Sequence, residues 1–462
     1  MYRERKKKWR TIKLVITEII MIIAVIVTVI LLTFFAMGYR VDKDGELDQQ
    51  GLFQIQSFPT GATVTIDDDV LLSHTNTSKL VSAGDHTITL TKDGYDSWTK
   101  TVTSKLGWLI KIAYPRLFLK NRTVENVQEL TEELSFFAPA ANHDAVAYST
   151  NNNPKWTLLD VRGDTAVKKE LDLTDALSGL VVKNVTWNED SNKVLVQASR
   201  GDKIEWLVVS ISNPENTINL NQEFDMDFAT VEFMDDSGDK LIALQSDANM
   251  RTIDVANKTI SGVLAKQVST FTHNGDKIFY LTTDNEVKIS QSDEDDIIVA
   301  SFGEGQKIKI LASSYLDTKY LAVLEDNKFR VYTGDYPSSG HSLKDMTVAL
   351  EEELEFTPDE LKSAGYNELF VARSGLDMAV FDAEIDKLST FKLPGEQMFF
   401  MDPYLVGTIS DNNLVVSDFD GTNIRTLSRA TGRAFITKNN KWMYYLDSSE
   451  GKTNILREQI MN

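Results

Sequence analysis

Residues 19–37 read IIMIIAVIVTVILLTFFAM, nineteen positions without a charge in which only Thr28 and Thr33 are polar. At 1.5 Å per residue, a helix of that length spans about 28 Å, close to the hydrocarbon thickness of a bilayer. Many of these residues are β-branched, yet no soluble strand runs so far. Length therefore predicts a transmembrane helix over residues 14–38, marked by Ile19, Ile23, Val27, Leu31 and Phe35. After a polar linker at 39–50, the pattern changes to alternation. Phe53, Ile55 and Ser57 share one parity, and so do Ala62, Val64 and Ile66, then His86, Ile88 and Leu90. Pro59-Thr60-Gly61, Asp67-Asp68-Asp69, Ala83-Gly84-Asp85 and Lys92-Asp93-Gly94 punctuate these runs as turns. Residues 51–104 thus predict a small β-sandwich of about five short strands.

Residues 105–130 open with an apolar stretch, KLGWLIKIAYPRLFL, expected either to rest on a membrane surface or to connect the sandwich to the C-terminal region. From residue 131 the chain repeats a loose unit: an apolar start, a polar turn, an apolar strand, and a second strand ending near aspartate. Phe136-Phe137-Ala138-Pro139 leads to Ala145-Val146-Ala147-Tyr148 and Trp156-Thr157-Leu158-Leu159-Asp160. Val185-Thr186-Trp187-Asn188 leads likewise to Lys193-Val194-Leu195-Val196. Other starts fall near Phe233, Phe271, Ile310, Phe356, Phe400 and Phe435. A period of about forty residues fits a four-stranded propeller blade. The Ile310 and Phe400 copies are weak, so residues 131–462 predict a seven- or eight-bladed β-propeller. Glu351-Glu352-Glu353 is expected to open a short helix through Leu361.

Charge sets the topology. Arg3, Arg5, Lys6, Lys7, Lys8, Arg10 and Lys13 oppose only Glu4 in the first thirteen residues, a basic tail carrying six net positive charges. The total is −20, so the rest of the chain carries −26. By the positive-inside rule the N-terminus is cytoplasmic and the bulk of the chain is outside. Ala36-Met37-Gly38 offers a signal-peptide cleavage site as the rival reading, against which stand the length of the apolar run and the bulk of Phe34 and Phe35. The acidic body repels nucleic acid. The chain holds no cysteine, which removes disulfides and thiolate sites and points to a bacterial or archaeal source.

The stretch Ser57-Phe58-Pro59-Thr60-Gly61-Ala62-Thr63-Val64-Thr65-Ile66-Asp67 resembles the PEGA domain family, as do Ala83-Gly84-Asp85-His86-Thr87-Ile88 and Lys92-Asp93-Gly94-Tyr95-Asp96-Ser97-Trp98. The motif residues are Pro59, Gly61, Ala62, Ile66, Asp67, Gly84, His86, Gly94, Tyr95 and Trp98. Asp68 stands where the family usually has glycine, and Ser73-His74-Thr75-Asn76 replaces its Gly-x-Thr-Pro turn. The resemblance implies a non-catalytic surface or periplasmic module and no ligand. The later repeats are similar to WD40-like units of TolB-type propellers. The best copy is Leu414-Val415-Val416-Ser417-Asp418-Phe419-Asp420-Gly421, and polar turns recur at Asp236-Ser237-Gly238-Asp239-Lys240 and Thr272-His273-Asn274-Gly275-Asp276-Lys277. That resemblance implies a binding platform more often than an enzyme.

His74, His86, His143, His273 and His341 are scattered without metal-ligand spacing, and His86 alternates with apolar residues as a packed strand histidine does. No nucleophile elbow, P-loop or dinucleotide fingerprint occurs. Asp42-x-Asp44-Gly45 lacks the later ligands of a calcium loop, and Asp293-Glu294-Asp295-Asp296 reads as a solvated charge run. No catalytic, cofactor or metal residue is predicted. The expectation is an all-β ectodomain, a small PEGA-like β-sandwich plus a seven- or eight-bladed β-propeller behind one N-terminal transmembrane helix. Its propeller would serve an envelope protein or cell-wall glycan as a binding or scaffold platform. The alternative is an anchored propeller enzyme, a glycan hydrolase or lyase, using carboxylates at the channel mouth.

Overall fold

A computed structural model describes residues 2–36, 39–41, 47–291, 295–449 and 451–462; the side chains of 2–14, 35–36, 40–41 and 47–48 are outside that description. The side chains of the topology-setting basic residues and of Phe35, the Asp42 to Gly45 loop, and Asp293 with Glu294 therefore lie outside the described residues. The chain divides into two units, residues 1–120 and 121–462.

Helix α1 (Tyr2–Ala36) is longer than the expected span at 14–38, because the Lys, Arg and Glu residues of the predicted tail favour helix and nothing breaks it. Its segment Val15–Phe34 is apolar enough to cross a bilayer, and none of it is buried within the protein. Thr28 Oγ1 donates to the Ala24 carbonyl and Thr33 Oγ1 to the Val29 carbonyl, both at 2.8 Å. The two hydroxyls are thereby satisfied inside the helix, as hydrocarbon requires.

Within the 39–50 stretch, expected as a linker, Tyr39–Val41 pairs with Leu47–Gln49. The sandwich beyond it has two sheets. One orders Asp69–His74, Thr63–Ile66, Gly84–Thr91 and Trp98–Ser104; the other orders Thr77–Val81, Gly51–Ile55 and Leu109–Ile112. Strand Trp98–Ser104 alternates buried and exposed along its whole length. Phe53, Ile55, Val64, Ile88, Leu90 and Trp98 fill the core between the sheets. Residues 105–130, expected as a connector, are divided between the two units instead. Leu109–Ile112 is a strand of the sandwich, parallel to Gly51–Ile55, with Ile110 and Ile112 buried. Phe118 is buried too, so the small domain extends to residue 120.

The second unit holds eight four-stranded antiparallel sheets among the described residues. Their first strands are Leu134–Pro139, Val181–Trp187, Phe228–Phe233, Val268–Asn274, Ile308–Tyr315, Glu360–Ala364, Gln397–Asp402 and Ala434–Ile436. Seven blades are formed by consecutive strands. The eighth takes Ala434–Ile436, Trp442–Ser449 and Lys452–Gln459 from the C-terminal end and Val124–Leu130 from the beginning of the unit. That pairing joins the two ends of the unit and makes eight blades among the described residues. Each sheet lies between two neighbours, so the second strands are buried on both faces and read as unbroken apolar runs, such as Leu241-Ile242-Ala243 and Leu369-Phe370-Val371-Ala372. At the closure, Phe137 and Tyr148 of the first blade share a cluster with Phe435, Tyr444 and Ile455 of the eighth. The helix expected from Glu351 is a strand instead, Thr347–Glu353, the outer edge of the fifth blade. Cross-strand pairing, including Arg330 Nε to Glu351 Oε1 at 3.2 Å, overrides the helix propensity of the glutamates.

Candidate functional site

Among the described residues, polar side chains cluster in the turns of the small domain and along one rim of the propeller.

In the small domain, Asp67 and Asp68 have φ of 49° and 73° and make the two-residue turn between Thr63–Ile66 and Asp69–His74. Asp67 Oδ1 accepts the Thr87 N–H at 2.8 Å, and its Oδ2 lies 2.5 Å from His86 Nδ1. His86 Nε2 faces the Ser82 carbonyl at 2.9 Å. With an acceptor at each ring nitrogen, the imidazolium form is the one fully satisfied. Burial works against that charge, but the bonds to Asp67 and Ser82 outweigh it and raise the His86 pKa. The Asp67 carboxyl is held below its ordinary range, chiefly by His86. His86 also packs edge-on against Phe53, centroids 5.8 Å apart, as a strand histidine of the core. Ala62, Ile66, Tyr95 and Trp98 are buried core residues. The glycines Gly61, Gly84 and Gly94 occupy positive-φ turns. Gly61, Lys92, Gly94 and Lys120 line an open cleft of about 630 Å³, in which Lys92 Nζ donates to the Thr60 carbonyl at 2.9 Å. Pro59 lies in the same turn as Thr60.

On the propeller, the ends of the first strands and the turns that follow them bond to the neighbouring blade. His143 Nδ1 donates to the Ile436 carbonyl at 2.7 Å, Trp187 Nε1 to Ala138 at 3.0 Å, and Asn188 Nδ2 to Asp236 at 2.7 Å. Lys193 Nζ reaches Asp239 Oδ1 at 2.5 Å. His273 Nε2 donates to the Phe233 carbonyl at 3.0 Å, Ser314 Oγ to Asn274 Oδ1 at 3.1 Å, and Ser313 Oγ to the Asn367 carbonyl at 3.0 Å. The Gly365 N–H bonds Pro403 O at 3.0 Å. The polar turns singled out in the sequence are the links of this belt. Gly238 shows why one of them needs glycine: its φ is +67°, and a Cβ there would lie 2.9 Å from the Phe233 ring.

The rim of the fifth to seventh blades carries an aromatic and acidic cluster. Tyr315 OH donates to Glu384 Oε2 at 2.9 Å, and Tyr404 OH donates to Glu368 Oε1 at 2.5 Å. Burial first, and these carboxylates second, raise both tyrosine pKa values well above the usual range. Tyr366 lies edge-on to Tyr404 at 5.8 Å and is 69% exposed, while Leu316 in the neighbouring turn is 84% exposed. None of these residues was singled out from sequence. Three blades contribute them, and no spacing along the chain connects them.

The buried carboxylates have structural partners. Glu458 binds Arg122 and Ser428, Glu205 binds Arg200 and Asn219, and Asp402 and Asp418 cap their own turns. Glu232, on the first strand of the third blade, and Arg433, beside the first strand of the eighth, keep exposed side chains, yet the protein around them raises the Glu232 pKa and lowers that of Arg433.

Residues 51–114 match the PEGA domain family, so the chain carries a PEGA domain there. No curated protein matches the chain. Among solved structures, it is similar to BamB from Moraxella catarrhalis, at 12% identity and a TM-score of 0.42 over 72% of this chain and 100% of that one. The β-propeller domain of Myceliophteria thermophila Cps50 (Swd1) matches at 10% identity and a TM-score of 0.38, covering 72% and 99%. An oligogalacturonate lyase from Vibrio parahaemolyticus matches at 10% and 0.41, covering 66% and 97%. By its own sheets and the family match, the chain is an all-β protein made of a PEGA domain and a propeller after one apolar N-terminal helix.

Proposed function

We propose that the chain is a single-pass protein of the cell envelope, held in the cell membrane by α1 with its N-terminus in the cytoplasm. The PEGA domain and propeller lie outside, and the propeller rim binds an envelope protein or a cell-wall glycan without catalysis. The observation that carries this reading is the rim of the fifth to seventh blades. There Tyr366 and Leu316 are exposed on turns fixed from beneath by Glu368, Tyr404 and the Ser313 bond, which is the rigid aromatic anchoring that recognition surfaces use. The structural use of the buried carboxylates favours binding over hydrolysis. The enzyme alternative would draw on Glu232, whose pKa is raised, but glycoside hydrolysis needs a pair of carboxylates.

The test is capture from envelope extract by the detergent-solubilised full chain, in parallel with its Leu316→Ala/Tyr366→Ala form. A reproducible partner depleted by the double substitution supports the reading. Equal recovery by both chains, or no reproducible partner, overturns it.

A further inference from the structure

The small domain has a second apolar surface besides its core, on the outward face of its three-stranded sheet. Leu52 is the register partner of Leu80 on one side and of Leu109 on the other. Registered neighbours point to the same face, so these three leucines form one row across the sheet. Leu52 and Leu80 are half-buried, and Leu109 at the free edge is 56% exposed. The adjoining turn adds Leu106, 51% exposed, and Trp108, 39% exposed, with Lys105 Nζ 4.1 Å above the indole ring. Two residues further along the strands the row is Ser78, Gln54 and Lys111. The face therefore passes from apolar to polar and basic within about 7 Å along the strands.

The apolar end is the end at which the chain arrives from α1, and contacts connect the two. Phe34, the last residue of the apolar span, packs edge-on against Tyr39 with centroids 5.1 Å apart. Tyr39 is the register partner of Gln49. The Gly107 N–H donates to the Gln50 carbonyl at 3.3 Å, and the Leu52 N–H donates to Trp108 O at 2.8 Å. Gly107, at φ +73°, is held so close that a Cβ would lie 2.5 Å from the Gln49 side-chain nitrogen. The turn bearing Leu106 and Trp108 is thus fastened to the residues that emerge from the outer end of the helix.

We infer that this face, Leu80, Leu52 and Leu109 with Leu106 and Trp108, is a second membrane contact that lies in the outer bilayer surface, with Lys105 and Lys111 among anionic headgroups. A Trp and aliphatic side chains beside lysines are the composition of interfacial segments, and short attachment to a spanning helix holds them at the right depth. The contact goes beyond the rim-binding reading but rests on α1 being retained in the bilayer.

Because the chain has no cysteine, single nitroxide labels can be placed at Leu109→Cys, at the fully exposed Leu72→Cys on the other sheet, and at Leu31→Cys within the helix. The full chain is reconstituted in phosphatidylcholine vesicles with or without phosphatidylglycerol, and label accessibility to oxygen and to a water-soluble nickel chelate is measured. The expected result is an oxygen-to-nickel ratio at Leu109 several-fold above that at Leu72. In the phosphatidylglycerol vesicles that ratio should fall in the Lys105→Glu/Lys111→Glu background. A nickel-accessible Leu109 label beside a lipid-embedded Leu31 label overturns the contact alone. Shielding of Leu109 from both reagents means that protein covers the face, which also overturns it. A water-exposed Leu31 label overturns the anchor and the contact together.

Discussion

Arg122 Nε donates to Glu458 Oε1 at 2.6 Å, joining residues 336 positions apart where the ring of blades closes. Glu458 is 1% exposed and accepts also from Ser428 Oγ at 2.5 Å. Removing the guanidinium leaves a buried carboxylate with one hydroxyl for company. Arg122→Ala should therefore destabilise the propeller by about 3 kcal/mol, the usual cost of breaking a buried pair from one side. Denaturant unfolding followed by tryptophan fluorescence checks this; an unmoved midpoint would show that closure does not depend on the pair.

The His86–Asp67 pair makes the PEGA domain pH-sensitive. The raised His86 pKa contributes stability that is fully present below its ordinary value of 6.5 and is lost as pH rises through the folded value. The lowered Asp67 pKa contributes stability present above 3.8 and lost as pH falls through its folded value. The pair helps most between those limits. Hydrogen exchange over residues 84–104, corrected for the intrinsic rate, should show opening becoming easier as pH rises above 6.5. In Asp67→Asn that trend should flatten; an unchanged trend would assign it elsewhere.

Asp68 occupies the second left-handed position of its turn, which is ordinarily the place of glycine. Asp68→Gly should raise the stability of the small domain by about 0.5 kcal/mol. A drop in its thermal midpoint would mean that the Asp68 side chain has a role the turn geometry does not reveal.

Gly238→Ala should act in the opposite direction. It places a Cβ at positive φ and against the Phe233 ring, and the expected loss is about 2 kcal/mol. The loss should appear in propeller unfolding and leave exchange in residues 51–114 unaltered.

The readable parts of this chain were those encoded locally. Nineteen uncharged residues announce the helix, and the turns at Gly61, Gly84 and Gly94 announce the PEGA domain. The blade starts near Phe136, Val185, Phe233, Phe271, Ile310 and Phe435 fall in first strands, and Phe400 does as well. What stayed hidden is non-local. Leu109–Ile112 is a strand only because a parallel partner lies 57 residues back, at Leu52 paired with Leu109. Val124–Leu130 is a strand only because Lys452–Gln459 returns to it. Glu351-Glu352-Glu353 has helical preferences that its sheet neighbours overrule. Tyr366, Tyr404 and Glu368 come together across blades, and no motif marks such a meeting.

The central claim, an anchored chain with its propeller outside, is tested most directly at Tyr366. A Tyr366→Cys chain, otherwise cysteine-free, is exposed in spheroplasts to a membrane-impermeant maleimide and then fractionated. The account predicts full labelling before lysis and recovery of the labelled chain at its full length in the membrane fraction. Labelling only after lysis, or a labelled chain that is soluble and shortened, would contradict it.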